Sequence, residues 1–164
     1  MEDRTIDDKD IEILSMLQEN GRTTHADIAR RIDLAPSAVL ERVRKLEARG
    51  AVRSYEARLD PHVIDLGLLA FVFVRADERL GDRETAQRLA ALPEVQEVHH
   101  IAGEDCYLAK VRARDTEALG RLLRERFGAI PSVRSTRTTI VLETVKESSR
   151  LPMPELAGVD HARA

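Results

Sequence analysis

The chain has 164 residues, of which 43% are hydrophobic and 34% charged, the balance of a water-soluble folded protein and not of a disordered one. Its single cysteine, Cys106, excludes an internal disulfide framework and a multi-cysteine metal site, and fits a cytoplasmic protein. The formal net charge of −3 argues against nucleic acid only until it is divided: residues 1–20 hold two basic and seven acidic groups, whereas residues 21–60 hold nine basic and six acidic. Phosphate attraction is felt over about 8 Å at physiological salt, so a locally basic segment inside an acidic chain is compatible with DNA binding. Met1 to Lys9 is too polar for a secretion signal. The longest apolar run, Leu66 to Val74, is far short of the roughly 20 residues that cross a bilayer, so no membrane association is expected.

A first helix is predicted to start after Asp7, whose carboxylate suits the free amides, with Asp8 and Asp10 in the first turn. Ile11, Leu14 and Leu17 give it a buried stripe, and Asn20-Gly21 ends it. Thr24 caps a second helix with Asp27 three residues on, and Ile28, Ala29 and Ile32 form its apolar face. Asp33-Leu34-Ala35 turns the chain into a third helix. Pro36 opens that helix where a missing amide hydrogen costs least, Val39, Val43 and Leu46 line its inner side, and Gly50 stops it. Val52 to Leu59 reads as a strand or wing.

The pattern changes at Asp60-Pro61. Leu68 to Val74 is apolar on both faces and predicts a covered strand. A helix over 83–92 follows, then strands Val95 to Ile101 and Tyr107 to Val111, a helix capped by Asp115 and closed by Gly128, and a long strand Val133 to Val145. The order is βαββαβ, one antiparallel sheet with two helices on one face. Two prolines and small polar residues after Ser148 predict a mobile tail. The chain therefore divides into residues 1–60, 61–147 and a tail 148–164, in the α+β class.

Two helices joined by a three-residue turn are the geometry that presents a second helix to the major groove. With Val39, Val43 and Leu46 inward, Ser37, Glu41, Arg44 and Ala48 point outward, with Lys45 beside them. Short groups at the start of the helix, Ser37 and Ala38, allow close approach to base edges; Arg44 and Lys45 reach bases or phosphates. Glu41 can accept from a cytosine amino group or orient Arg44. Arg22, Arg30, Arg31 and Arg53 are candidates for backbone contacts. The pattern alone equally describes a structural three-helix unit with a solvated basic face.

His99 and His100 beside Glu104, Asp105 and Cys106 bring a metal or a cysteine nucleophile to mind. Neighbouring strand residues point to opposite faces, however, so at most one histidine can join Cys106, and acidic neighbours raise a thiol's pKa. Neither a metal, a cofactor nor enzymatic turnover is expected. Thr136 and Thr138 read as ordinary strand threonines.

The residues from Ile6-Asp7 through Ile13-Leu14, Leu17-Gln18, Gly21-Arg22, Ile28-Ala29, Val43, Leu46-Glu47 and Gly50 resemble the leucine- and asparagine-responsive (Lrp/AsnC, or feast/famine) regulators. Tyr55-Glu56-Ala57, Ala102 to Leu108, Thr136-Arg137-Thr138 and Val141 to Lys146 continue the resemblance over residues 6–152. It implies a winged helix-turn-helix that binds double-stranded DNA, followed by a ferredoxin-like ligand-binding module, the regulation-of-amino-acid-metabolism (RAM) domain. It further implies a homodimer built sheet to sheet, assembling to a tetramer or octamer, and an amino-acid effector held between subunits near the loop joining the second and third strands. Gly103, Glu104, Asp105, Cys106, Thr136 and Thr138 are the effector-site candidates on this basis. The chain departs from the family at Asp33, where glycine is usual, at Ala35, where Ser or Thr caps, and at Cys106, where an Asp is common and the acid falls one place earlier at Asp105. The competing reading is an architectural protein that oligomerises on DNA without an effector.

Overall fold

The computed structural model describes residues 6–79 and 81–154. They form two units, one made of the residues up to Arg58 together with those from Glu147 on, the other of Leu59–Lys146.

Unit 1 holds α1 (Asp8–Glu19), α2 (His25–Ile32) and α3 (Pro36–Ala48). Asp7 accepts from the Asp10 amide at 2.8 Å while Asp10 reaches back to the Asp7 amide, a reciprocal cap. Thr24 accepts from the Asp27 amide at 3.1 Å and so caps α2. Asp33 ends α2 in the left-handed region, φ 54°, as a residue standing in for glycine must. Ala35 offers no side-chain cap to α3; its carbonyl takes the amides of Ala38 and Val39 instead. The core is aliphatic: Ile13, Met16, Ile28, Ala29, Ile32, Val39, Val43 and Leu46 close on one another. α1 thus buries Ile13 and Met16 in place of the expected stripe Ile11, Leu14 and Leu17, of which Leu14 and Leu17 pack only partly buried against this core.

Two further expectations need correction here. Of the strand or wing expected over Val52 to Leu59, no strand forms: the segment is largely exposed, because a ladder needs a partner and none of the described residues of this chain provides one. Tyr55 instead folds back, its hydroxyl donating to Glu47 at 3.0 Å and its ring lying against Gly21. The predicted tail is also anchored at its start; its residues 155–164 lie outside the described residues. The Gln18 carboxamide donates to the Leu151 carbonyl at 2.7 Å and accepts from the Leu151 amide at 2.9 Å, as a neighbouring strand would. Arg150 donates to the Glu19 carbonyl at the end of α1, where no basic residue of the helix itself answers the negative pole. Arg58 grips Glu147 through its side chain and its carbonyl.

Unit 2 opens with a single 3-10 turn, Pro61–Ile64, capped by Asp60. It then runs β1 (Leu68–Ala76), α4 (Glu84–Ala90), β2 (Val95–His100), β3 (Tyr107–Ala113), α5 (Thr116–Arg121) and β4 (Val133–Ile140). The sheet is antiparallel in the order β2-β3-β1-β4. Ala70, Val72 and Val74 of β1 and Tyr107, Ala109, Val111 and Ala113 of β3 share the face that meets Leu89, Leu119, Leu122 and Phe127 from the helical segments. Phe71 and Phe73 lie on the other face, level with Lys110 and Leu108. After Arg121 the helix widens into π-type turns, Leu122–Phe127, and Gly128 ends it with its amide on the Leu123 carbonyl. A Cβ at Gly128 would stand 2.6 Å from the Arg124 carbonyl oxygen, so no other residue fits there without movement. β4 stops short of the predicted Val145. Its partner β1 begins at Leu68, the last bond runs from the Val141 amide to the Leu69 carbonyl, and Leu142 and Val145 are left exposed.

One polar network closes the core. Glu78 accepts from the Tyr107 hydroxyl at 2.6 Å and from the Thr85 amide at 3.0 Å, so a carboxylate outside α4 satisfies a free amide of its first turn. Burial and the bond to Glu78 push the Tyr107 phenol up to about 12. Burial works to raise Glu78, but the bonds from Thr85 and Tyr107 outweigh it and hold the carboxyl below 4.5. The Glu78 contribution to stability is therefore full above that value and is lost as pH falls through the lowered one. Tyr107→Phe is expected to cost about 1–2 kcal/mol near neutral pH, and less in acid, by urea titration at several pH values.

Candidate functional site

The outward row of α3 lies where the helical period puts it. Val39, Val43 and Leu46 are buried, while Ser37, Glu41, Arg44, Lys45 and Ala48 are exposed and Ala38 is half-buried. Glu41 is bound to Lys45 at 2.7 Å, one turn along, and this bond draws its carboxyl below the ordinary value. It therefore does not orient Arg44, which has no ion pair among the described residues. Arg22 is exposed in the turn between α1 and α2, and Arg53 just beyond α3. An open groove of about 520 Å³ beside the α1–α2 turn is lined by Arg22, Thr23, Arg30 and Arg31 among others. Arg30 is engaged by Asp27, as Arg22 and Arg31 are not.

Sequence reasoning passed over Arg42. It flanks the buried row of α3 and turns toward α1, where one guanidinium nitrogen meets Asp7 and Asp10, each at 2.7 Å. The signal was its place between Val39 and Val43 with acids at the start of the first helix.

The loop between β2 and β3 carries the effector candidates. Gly103, at φ 134°, occupies a conformation that side chains rarely adopt. Glu104 is exposed. The Cys106 amide donates to the Val74 carbonyl at 2.9 Å, and its thiol is turned onto the Ala76 backbone, donating to the carbonyl at 3.3 Å. Asp105 points elsewhere and takes Arg137 of β4 at 2.9 Å. The Arg137 guanidinium carbon lies over the Phe73 ring, 4.0 Å from its centre. Thr136 and Thr138 pair with Val74 and Val72 and so share the helix-covered side of the sheet, while Arg137 pairs with Phe73 on the other. The fold thus brings Asp105 to β4 but does not gather the two threonines onto the side where that contact is made. Arg137 was the residue missed.

His99 and His100 face opposite ways: His99 meets Glu97 at 3.1 Å, and the His100 ring tilts against Tyr107. Among the described residues no group of three or more His, Cys, Asp or Glu could hold a metal, and no helix is long and apolar enough to cross a membrane.

Comparison with known proteins agrees with both units. Residues 6–53 match the family model of the winged helix-turn-helix DNA-binding domain, and residues 69–151 that of the Lrp/AsnC ligand binding domain. The leucine-responsive regulatory proteins of Klebsiella pneumoniae and Escherichia coli are each 38% identical over 150 residues, 90% of this chain and 92% of theirs. A transcriptional regulator from Neisseria meningitidis solved with L-Met is similar, with a TM-score of 0.83 at 35% identity, covering 90% of this chain and 97% of that one. So is the feast or famine regulatory protein of M. tuberculosis complexed with L-methionine, at 0.83 and 36%, covering 92% and 100%. On the helix-turn-helix, the antiparallel βαββαβ sheet and this identity along nine-tenths of its length, the chain belongs to the Lrp/AsnC family of transcription regulators.

Proposed function

We propose that α3 reads a roughly two-fold symmetric DNA site in the cytoplasm, one helix per half-site, and that an amino acid bound at the β2–β3 loop modulates that binding. The observation that carries the DNA reading is the exposed row Ser37, Glu41, Arg44 and Lys45, with Ala38 half-buried beside it, backed by a buried aliphatic ridge on the same helix. Arg44 makes the base contact, Lys45 and Glu41 move together as a pair, and Arg22 and Arg53 hold phosphates. Residues 1–60 carry DNA binding; residues 61–147 carry the effector site and self-association.

The sheet face bearing Phe71 and Phe73 joins two copies into a homodimer, and dimers assemble further. Support for this comes from two aromatic rings on the side of the sheet away from α4 and α5. Support for an amino-acid effector, over an architectural protein without one, comes from the two similar regulators solved with L-methionine. The effector candidates are Gly103, Glu104, Asp105 and Cys106; Thr136 and Thr138 lie on the opposite side of β4 from the Asp105–Arg137 contact and are left out of this reading.

Arg44→Ala is expected to weaken binding at the specific site by about 1–3 kcal/mol while leaving the denaturation midpoint unchanged. Gel shifts at fixed salt check the first and urea titration the second. Equal affinity of the two proteins for the specific site removes the base-reading role. Light scattering with and without L-methionine or L-leucine tests assembly and its response together.

A further inference from the structure

We infer that Glu41 and Lys45 of α3 read one base pair together, as a bonded acceptor–donor couple that favours C·G and rejects G·C. This rests on the DNA reading given above and adds to the contact of Arg44 a second one, with a stated base pair and polarity.

A carboxylate is out of place on a helix face offered to phosphates unless its charge is answered and its oxygens are used. Lys45 answers the charge: its ammonium lies 2.7 Å from a Glu41 oxygen, one turn along. The couple therefore meets the duplex with no net charge. Both side chains are free to reach outward, Glu41 being 69% exposed and Lys45 60%. A turn earlier, Ser37 and Ala38 are small enough to let the helix approach base edges.

The spacing has a counterpart in the major groove. In one base pair the cytosine amino group is bonded to the guanine carbonyl at about 2.9 Å, a donor next to an acceptor. The couple is an acceptor next to a donor at 2.7 Å. Laid edge to edge, the Glu41 carboxylate takes the second amino hydrogen of cytosine, and the Lys45 ammonium donates to O6 and N7 of guanine. The bond within the couple is kept, because the ammonium has three hydrogens and the carboxylate about four accepting sites. Turned round, G·C sets a carbonyl against the carboxylate and an amino group against the ammonium, and both contacts repel. A·T offers an amino group and a carbonyl in the accepted order, but the thymine methyl stands beside Lys45 where guanine has N7. A·T therefore ranks between the two.

The test is selection from randomised duplexes with the full chain, then gel shifts at fixed salt on the selected site with single base-pair changes. The wild-type protein is expected to show a position in each half-site where C·G binds about 10- to 100-fold more tightly than G·C, the worth of one paired contact to a base edge. Exchanging the residues, Glu41→Lys with Lys45→Glu, keeps an ion pair on the helix and reverses the preference to G·C at that position alone. Lys45→Met keeps the acceptor only, so C·G and A·T bind alike and G·C stays poorest; it gives the reading should the exchanged protein lose its fold. An ion pair that merely steadies α3 would lower affinity by one factor for every sequence in both variants. That result overturns the assignment while the DNA reading stands. If the wild-type protein selects no sequence at all, the DNA reading fails and takes the couple with it.

Discussion

Phe127→Ala is expected to destabilise unit 2 by about 3–5 kcal/mol, the cost of emptying a fully buried aromatic site that the backbone cannot collapse into. Phe127 is the largest side chain with no exposure at all, and it meets the sheet where the π-type turns run into Gly128. Those turns are pinned by the close approach of Gly128 to the Arg124 carbonyl, so relaxation into the void is limited. Whole domains are stable by only about 5–15 kcal/mol, which makes this loss a large share of what unit 2 has. The chain has two tyrosines and no tryptophan, and each unit holds one tyrosine, Tyr55 or Tyr107. Tyrosine fluorescence in a Tyr55→Phe background therefore follows unit 2 alone. An unshifted urea midpoint would show that the site refills.

Arg42→Ala is expected to cost unit 1 about 2 kcal/mol, although Arg42 sits on the same helix as the exposed row Ser37, Glu41 and Arg44. Its loss leaves the nearly buried Asp10 carboxylate with only the weak 3.4 Å contact from the Asp7 amide. Breaking a buried ion pair costs about 3–5 kcal/mol, and the figure is reduced here because Arg42 is one-third exposed and water screens it. The pair also sets an acid limit. Burial pushes Asp7 upward, but its bonds from Arg42 and the Asp10 amide prevail and hold it below 3.8. That contribution is present above 3.8 and is lost as pH falls through the lowered value, so the variant should show a flatter decline in acid. Far-UV circular dichroism in urea at several pH values measures both. A variant as stable as the parent would mean that Asp10 finds water or another partner.

Much of this architecture was legible from local chemistry. Asp7, Thr24 and Asp115 cap the helices they were expected to cap, and Pro36 opens α3. The inward row of α3 follows from period alone, and the βαββαβ order gave the antiparallel sheet with its helices on one side. What escaped depends on residues far apart in the chain. Nothing near Val52 to Leu59 reveals that the segment lacks a partner strand, and nothing near Val141 reveals that β1 has run out beside it. The bonds from Gln18 to Leu151 and from Arg137 to Asp105 join positions 133 and 32 residues apart, with no periodic mark at either end. On α3 the exposure of Ser37, Glu41, Arg44, Lys45 and Ala48 was readable, because it follows from helical phase. The side of the sheet on which Thr136 and Thr138 fall required the register.

The return of the chain to α1 at Glu147–Leu151 makes unit 2 an insertion: the polypeptide leaves unit 1 after Arg58 and comes back beside the same arginine. A protease that cuts only one of the two crossings leaves Leu59–Lys146 covalently attached to part of the DNA-binding unit, so freeing it takes two cleavages. By the same topology, a short linker from position 58 to 147 would yield the helix-turn-helix together with its returning segment as a single short polypeptide.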